Sequence, residues 1–256
     1  MHEVERLASL MRSARRILVF TGAGISTGSG IPDFRGPQGV WKKRQPVYYQ
    51  EFLASEEKRV EYWDYKSEGW ESFVAARPNA AHEALVRLER LGKLGALVTQ
   101  NIDGLHQLAG TSPGKLLELH GTNRSVECVA CKRRSEPAPS VETFRKGRST
   151  PLCPCGGWLK FATISFGQAL DSELLDRAAT EARKADMALS LGSTLSVYPA
   201  AGIPAIVAEG GHPYAVVNRG ETEHDAIATL RLEGDVSDLV PRAIDLLASA
   251  PEAPTP

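Results

Sequence analysis

A chain of 256 residues is long enough to bury one large α/β core and still carry a small insert. Its 30 Lys and Arg stand against 31 Asp and Glu, so no overall field draws it to nucleic acid or to a membrane surface. The four cysteines all fall between Cys128 and Cys155, a clustering that disfavours a secreted disulfide framework and favours a metal site in a reducing compartment.

The opening "MHEVERLASLMRSARR" carries early acids and no apolar run, so no signal peptide is expected there. Val4, Leu7, Ala8 and Met11 recur at helical spacing and predict an amphipathic helix over 3–14. "RILVF" predicts a buried strand, which leads into the glycine-rich "GAGISTGSGIPDFRG", Gly22 to Gly36. Residues 33–75 are aromatic, charged and irregular, and read as an insert that is helical in pieces. Asn79 caps a second helix that turns Ala84, Leu85, Leu88 and Leu91 to one face. "ALVT" (96–99) and "LLEL" (116–119) are strands, with the short helix "GLHQLAG" between them. Residues 124–158 are polar, hold every cysteine and read as an inserted module. Leu174, Ala178, Ala182 and Ala185 mark a further helix, followed by the strand "ALSL". Met187 to Ala208 is uncharged and long enough for a bilayer. Its two prolines, two glycines and flanking Asp186 and Glu209 favour instead a buried strand, a loop and a short helix. "YAVV" (214–217), "TLRL" (229–232) and a closing helix from about Val236 to Leu247 complete the set. The Pro-rich residues 250–256 are expected to be a disordered tail.

Short apolar strands alternating with helices imply an α/β fold, a Rossmann-like parallel sheet with helices on both faces. The expected division is a discontinuous sheet domain (1–32, 76–123 and 159–249) with inserts at 33–75 and 124–158. A cytoplasmic protein without membrane contact follows.

Chemistry concentrates where strands end. Gly22 and Gly24 suit a phosphate-binding turn, with Ser26 and Thr27 offering hydroxyls and the next turn offering free amides. A tight turn without a ligand explains the glycines equally well. The third glycine is Gly28, so the G-x-G-x-x-G spacing is not met, and no acid lies about 20 residues on to hold a ribose. That turn does not look like a hydride-transfer enzyme's. "TQNID" sits at a strand's carboxyl end, where parallel sheets bind ligands, and combines two amides with a carboxylate. The alternative makes Asn101 or Asp103 a helix cap, which needs only one of them. His120 ends "LLEL" beside Gly121 and reads either as a structural histidine or as a base. "LGST" offers Gly192, Ser193 and Thr194 to a phosphate, and Asn218 in "VVNRGET" could meet a ribose. Cys128-x₂-Cys131 fits half a zinc site of four thiolates at about 2.3 Å. Cys153-x-Cys155 is one residue short of the usual second pair; Pro154 and Gly156-Gly157 could supply the missing turn. A metal-free insert of reduced cysteines is the alternative. A zinc held by four thiolates would be structural.

In order and spacing, "GAGISTGSGIPDFRG", "TQNID", "LHG", the paired cysteines, "ISFGQ", "LGSTLSVYPAA" and "VNRGET" closely resemble the sirtuin family, over residues 7 to 247. The resemblance implies NAD as co-substrate, one structural zinc per chain on Cys128, Cys131, Cys153 and Cys155, and removal of acetyl or other neutral acyl groups from protein lysines. It implies that Gly22, Ala23, Gly24, Thr27, Gly192, Ser193 and Thr194 meet the pyrophosphate side of NAD. Asn218, Arg219, Asp235 and Val236 would face its adenosine. Gln100, Asn101, Ile102 and Asp103 would hold the nicotinamide ribose and carboxamide, under a loop containing Asp33, Phe34 and Arg35. Pro32 would end the preceding helix early and so free that loop. In the reaction the resemblance implies, the acyl oxygen would attack ribose C1′ and expel nicotinamide; His120, as general base with Asn101 beside it, would then activate a ribose hydroxyl. Water would complete the transfer to O-acyl-ADP-ribose. The peptide would add as a strand between the "ISFGQ" segment, which holds Gly167, and residues 195–197, which hold Val197, while Ile164 and Phe166 would line the lysine tunnel. Gln168 replaces a glutamate common in the family. Members that remove succinyl or malonyl groups use a Tyr-x-x-Arg pair; Trp63 and Lys66 stand there, which implies a neutral acyl group. The expected partners are acetylated-lysine proteins or peptides, not nucleic acid, and the expected state is a monomer. Mono-ADP-ribosyl transfer and a zinc-ribbon binding module built around "CKRR" are the competing readings.

Overall fold

The computed structural model describes residues 2–33, 39 and 44–249. Helix α1 (His2–Ser13) buries Val4, Leu7, Ala8 and Met11, the four residues whose spacing predicts it. Strand β1 (Ile17–Thr21) is buried throughout and runs into a 3-10 turn over Ala23–Ser29. The first insert holds α2 (Tyr49–Ala54), α3 (Glu56–Glu68) and α4 (Trp70–Ala75). Asn79 caps α5 (Ala80–Arg90) by accepting from the Ala81 N–H at 3.0 Å. Then come β2 (Leu94–Thr99), α6 (Leu105–Ala109) and β3 (Leu116–Glu118). The cysteine region contributes β4 (Gly121–Cys128), β5 (Arg134–Ser135), α7 (Pro137–Gly147) and β6 (Leu159–Thr163). The chain finishes with α8 (Ser172–Arg183), β7 (Met187–Leu191), α9 (Gly202–Glu209), β8 (Tyr214–Asn218), β9 (Leu230–Glu233) and α10 (Val236–Ala248).

Six strands form one sheet in the order β3-β2-β1-β7-β8-β9, and every neighbouring pair is parallel. The chain winds outward from β1 to one edge, returns, and winds outward again from β7. The reversal between β1 and β7 is the switch point at which doubly wound sheets open a ligand crevice. Strand alternation splits β1 between two cores. Ile17 and Val19 pack with Leu7, Leu85 and Val240 from α1, α5 and α10. Leu18 and Phe20 pack on the other face with Ala178 of α8 and Ile203 of α9. Helices thus cover both faces, as the apolar strand runs require.

A second, antiparallel sheet, β5-β4-β6, carries the cysteines. Its own core joins Phe52, Trp63, Val126, Phe144 and Phe161. The sequence reading takes this region only as an inserted module and predicts none of its four elements, of which two show why. Helix α7 starts with Pro137 in its first turn and buries Val141 and Phe144 within a stretch that is otherwise polar. Strand β6 contains Lys160, which is buried because its ammonium turns back to the carbonyls of Phe161 and Thr163. The uncharged stretch from Met187 resolves into β7, a loop and α9, and no helix of the described residues is long and apolar enough to cross a membrane. The expected tail, 250–256, lies outside the described residues.

Candidate active site

Parallel strands put all their carboxyl ends on one edge, and main-chain bonds stitch those ends together. Gln100 N–H donates to Thr21 O at 2.9 Å, Gly22 N–H to Leu191 O at 3.0 Å, and Gly192 N–H to Val217 O at 2.9 Å. Gly24 N–H donates to Gly192 O at 2.8 Å. The turns after β1 and β7 therefore touch backbone to backbone. A Cβ on Gly22 would fall 2.7 Å from the Ser193 Cβ, and one on Gly24 2.7 Å from the Gly192 Cα. Close packing of two turns is thus sufficient to require both glycines. The 3-10 turn ends at Gly30, whose φ is +81°, two residues before Pro32. A left-handed glycine, rather than the proline, stops the turn.

Ser26 joins the two functional segments. Its hydroxyl donates to Asp103 Oδ2 at 2.7 Å and accepts from Asn101 Nδ2 at 3.2 Å. Asn101 Nδ2 also reaches Gly22 O at 3.1 Å, and both Asn101 and Asp103 are buried. Asp103 Oδ1 accepts in addition from Leu105 N–H at 2.9 Å, across Gly104, the N-cap of α6. Burial raises its pKa above the ordinary carboxylate value. Asn101 caps nothing. Ile102 O accepts from Asn123 N–H at 2.8 Å, tying this loop to β4. Gln100 Nε2 donates to Ser193 Oγ at 2.8 Å.

His120 projects from between β3 and β4, with Nδ1 3.0 Å from Gln100 O. A carbonyl can only accept, so Nδ1 carries the proton and Nε2 keeps its lone pair. Burial holds the imidazole below its ordinary pKa, against the opposing pull of that carbonyl. A neutral, oriented imidazole is a competent base near neutral pH.

Behind these groups lies a network that the sequence gives no sign of. Thr21 Oγ1 donates to Thr99 Oγ1 at 2.7 Å, and the Asn101 N–H donates to Thr99 Oγ1 at 3.0 Å. His106 Nε2 sits 2.9 Å from Thr21 Oγ1, and its ring centroid is 4.9 Å from that of His82. Burial lowers the pKa of His82 to about 4 and that of His106 well below 6.5. A histidine inside a helical pattern reads from sequence as core, and the two threonines read as strand residues.

The remaining candidates divide by location. Ala23 and Thr27 are half-buried in the first turn, with Thr27 Oγ1 donating to Gly24 O at 3.0 Å. Thr194 Oγ1 lies 2.9 Å from Ser196 Oγ. Asn218 is buried at the end of β8. Arg219 pairs with Asp235 Oδ2 at 2.6 Å, and Asp235 Oδ1 caps α10 by accepting from Ser237 N–H at 2.7 Å; Val236, next to it, is buried. Ile164 N–H donates to His120 O at 2.9 Å, which fixes that segment beside the histidine. Phe166 O accepts from Tyr49 N–H at 2.9 Å, and Gly167 has a φ of +78°. Val197 is half-buried after β7, its carbonyl taken by Ala201 N–H at 2.9 Å. Asp33 is half-buried, whereas Phe34 and Arg35 lie outside the described residues.

Trp63 is fully buried against Phe144 and Phe161, with Nε1 donating to Leu159 O at 3.1 Å. Lys66 Nζ donates to Asn123 Oδ1 at 2.9 Å, and burial, with Lys160 nearby, lowers its pKa to about 7. No guanidinium takes the place of either side chain.

The four cysteine sulfurs lie within 4.8 Å of one another. Cys128 and Cys155 Sγ are 3.5 Å apart, and Cys131 and Cys153 Sγ 3.7 Å. Sulfurs bound tetrahedrally at about 2.3 Å stand ~3.8 Å apart, so this donor set fits zinc. The short second pair works because the chain turns at once: Gly156, with φ +85°, donates its N–H to Cys153 O at 2.8 Å. A Cβ on Gly157 would lie 2.6 Å from Cys128 Sγ. The cysteines are positioned to bind one zinc ion.

A doubly wound parallel sheet, an oriented histidine beside amides and a carboxylate at its strand tips, and a separate four-cysteine module define a nucleotide-binding α/β enzyme with a zinc-type lobe. The model of the Sir2 family matches residues 22–199. An NAD-dependent protein deacetylase of Rhodopseudomonas palustris is 41% identical over 236 residues, 92% of this chain and 93% of that protein. One of Sulfolobus acidocaldarius is 38% identical over 252 residues, 96% of each chain. Among solved structures, a Sir2 protein with a p53 peptide and NAD+ superposes with a TM-score of 0.86 at 35% identity, covering 94% of this chain and 97% of that one. Another, with a deacetylated p53 peptide and 3′-O-acetyl ADP ribose, gives 0.88 at 36% identity, covering 95% and 98%. The chain belongs to the Sir2 family.

Proposed function

We infer that this protein is an NAD-dependent protein-lysine deacetylase, which removes acetyl or other neutral acyl groups and releases nicotinamide and O-acyl-ADP-ribose. NAD supplies an electrophilic ribose carbon and accepts the acyl group. The observation that carries the inference is His120: its Nδ1–H is spent on the Gln100 carbonyl, and its Nε2 is left to take a proton from a ribose hydroxyl. Asn101 and Asp103, held through Ser26, face the same ribose, with Gln100 and Ile102 at the carboxamide. Gly22, Ala23, Gly24, Thr27, Gly192, Ser193 and Thr194 receive the pyrophosphate; Asn218, Arg219, Asp235 and Val236 receive the adenosine; Asp33, with Phe34 and Arg35 outside the described residues, is assigned to the cofactor as well. The place of these turns, at the carboxyl ends of β1 and β7 where the strand order reverses, supports the pyrophosphate assignment.

The acetylated peptide lies along Ile164, Phe166, Gly167 and Val197, a placement supported by the bond from Ile164 N–H to His120 O. Buried Trp63 and a lysine of lowered pKa at position 66 support a neutral acyl group. The two separate sheets support a division into a discontinuous NAD-binding domain, an insert at 33–75 and a zinc module around 124–158, with the smaller sheet reaching out to Gly121 and Thr163. Under this function the enzyme works as a cytoplasmic monomer on proteins, apart from nucleic acid and membranes. The test is direct: incubation with NAD and an acetyl-lysine peptide yields nicotinamide and free lysine together. Absence of both overturns the inference.

A further inference from the structure

His224 belongs to neither the reacting centre nor the strand tips, yet it is 3% exposed and fully engaged. Its Nδ1 lies 3.0 Å from the Tyr214 hydroxyl and its Nε2 3.3 Å from the Tyr198 hydroxyl. Burial holds its pKa below the ordinary value, which favours the neutral ring. A neutral imidazole has one donor and one acceptor, so the two phenols take opposite roles. Tyr214 anchors the arrangement in the sheet, its hydroxyl 2.9 Å from Ser190 Oγ of β7. The loop bearing His224 is itself fixed: Thr222 Oγ1 donates to Asp225 Oδ1 at 2.6 Å, and Arg231 of β9 pairs with Asp225 at 3.0 Å.

On its other side this loop grips the segment after β7. Glu223 N–H donates to Thr194 O at 3.1 Å, and Tyr198 reaches His224 four residues further on. Tyr198 is 61% exposed, so burial of its ring does not account for where its hydroxyl points. One main-chain bond and one side-chain bond therefore join loop 219–225, next to Asn218, to segment 194–198, which contains Val197.

We propose that His224 is a positioning residue that, through the Tyr198 hydroxyl, fastens the peptide-receiving segment Thr194–Tyr198 to the adenosine-facing loop Asn218–Asp225, so that one loop sets the seat of both substrates. The proposal rests on the deacetylase function inferred above. It makes His224 relevant to binding and irrelevant to the chemical step.

Steady-state kinetics with NAD and an acetyl-lysine peptide test it. Tyr198→Phe removes one hydroxyl from an exposed ring and leaves the fold intact. It raises the peptide KM roughly 2- to 10-fold, the range of one net hydrogen bond, with kcat and melting temperature unchanged. His224→Phe raises the KM for both peptide and NAD, and adding Tyr198→Phe to it changes the peptide KM no further. An unchanged peptide KM in Tyr198→Phe overturns the proposal, as does simple additivity in the double variant. If His224→Phe fails to fold, Tyr198→Phe still decides. Wild-type turnover is read first and separately: its absence defeats the deacetylase inference, whereas a wild type that turns over beside an unaffected Tyr198→Phe defeats the latch alone.

Discussion

At His120 a single carbonyl determines which nitrogen is free. Because Gln100 O fixes the proton on Nδ1 and burial disfavours the charged ring, the state favoured is the neutral imidazole with its lone pair on Nε2, the form the proposed base requires. Two consequences follow for measurement. His120→Ala lowers kcat/KM by roughly 10²- to 10⁴-fold, the usual contribution of a positioned base, with little change in melting temperature. In the wild type, kcat/KM falls as pH drops through a value below 6.5, since protonation removes the lone pair. A limb at or above 6.5 would show that a different group limits the rate. Asn101 and Asp103 illustrate the same economy of placement. One also takes the first main-chain N–H of α6, the other does not, and Ser26 between them holds both.

At the scale of elements, the contact between the turns after β1 and β7 closes the floor of the crevice. Gly192 adopts φ +63°, and a Cβ there would lie 2.4 Å from Ile25 N, a backbone atom that cannot step aside. Gly192→Ala therefore costs at least the ~1–2 kcal/mol of a left-handed L-residue, with the clash added. A urea titration should show it, and a loss under ~1 kcal/mol would mean that the two turns separate easily. How far the sequence is legible follows from the same physics. Runs such as "ILVF" and "YAVV" are buried on both faces and announce themselves, and polar residues placed just after them mark the strand tips. Helix α7 and strand β6 are hidden because Lys160 and the polar side chains of 137–147 mask an apolar pattern. For Gly22 and Gly24, the sequence leaves turn packing and ligand approach open, because each needs a residue without a Cβ. The base-competent state of His120 depends on a carbonyl twenty residues away, and the His82–His106 pair on two helices meeting. No local pattern encodes either.

The described residues form two lobes of different origin, one with a core on each face of the large sheet and one with a single core, and acid and chelator should separate them. In the large lobe, burial lowers the pKa of His82 to about 4 in the folded chain, against about 6.5 when unfolded. The unfolded chain therefore binds the extra proton first as pH falls, and stability declines between about 6.5 and 4. The full loss from this residue is about 3 kcal/mol, and His82→Asn flattens that part of a denaturant-midpoint profile. The smaller lobe is a three-stranded sheet and a few helices around Trp63 and Phe161, too little apolar surface to be secure alone. Its cysteines bring β4 and the turn at Gly156 to one point, and structural zinc contributes on the order of 10–16 kcal/mol where a fold depends on it. Removing the ion should therefore release the 121–163 module while the six-stranded sheet, with separate cores on its two faces, persists. Because Ile102 O is held by Asn123 of β4 and Ile164 by the His120 carbonyl, loosening the module also disturbs the reacting end. Hydrogen exchange after chelation should thus rise across 121–163 and at 100–103, stay slow in β1, β7 and β8, and coincide with loss of deacetylation. Exchange rising uniformly over both sheets would mean that the two lobes unfold as one.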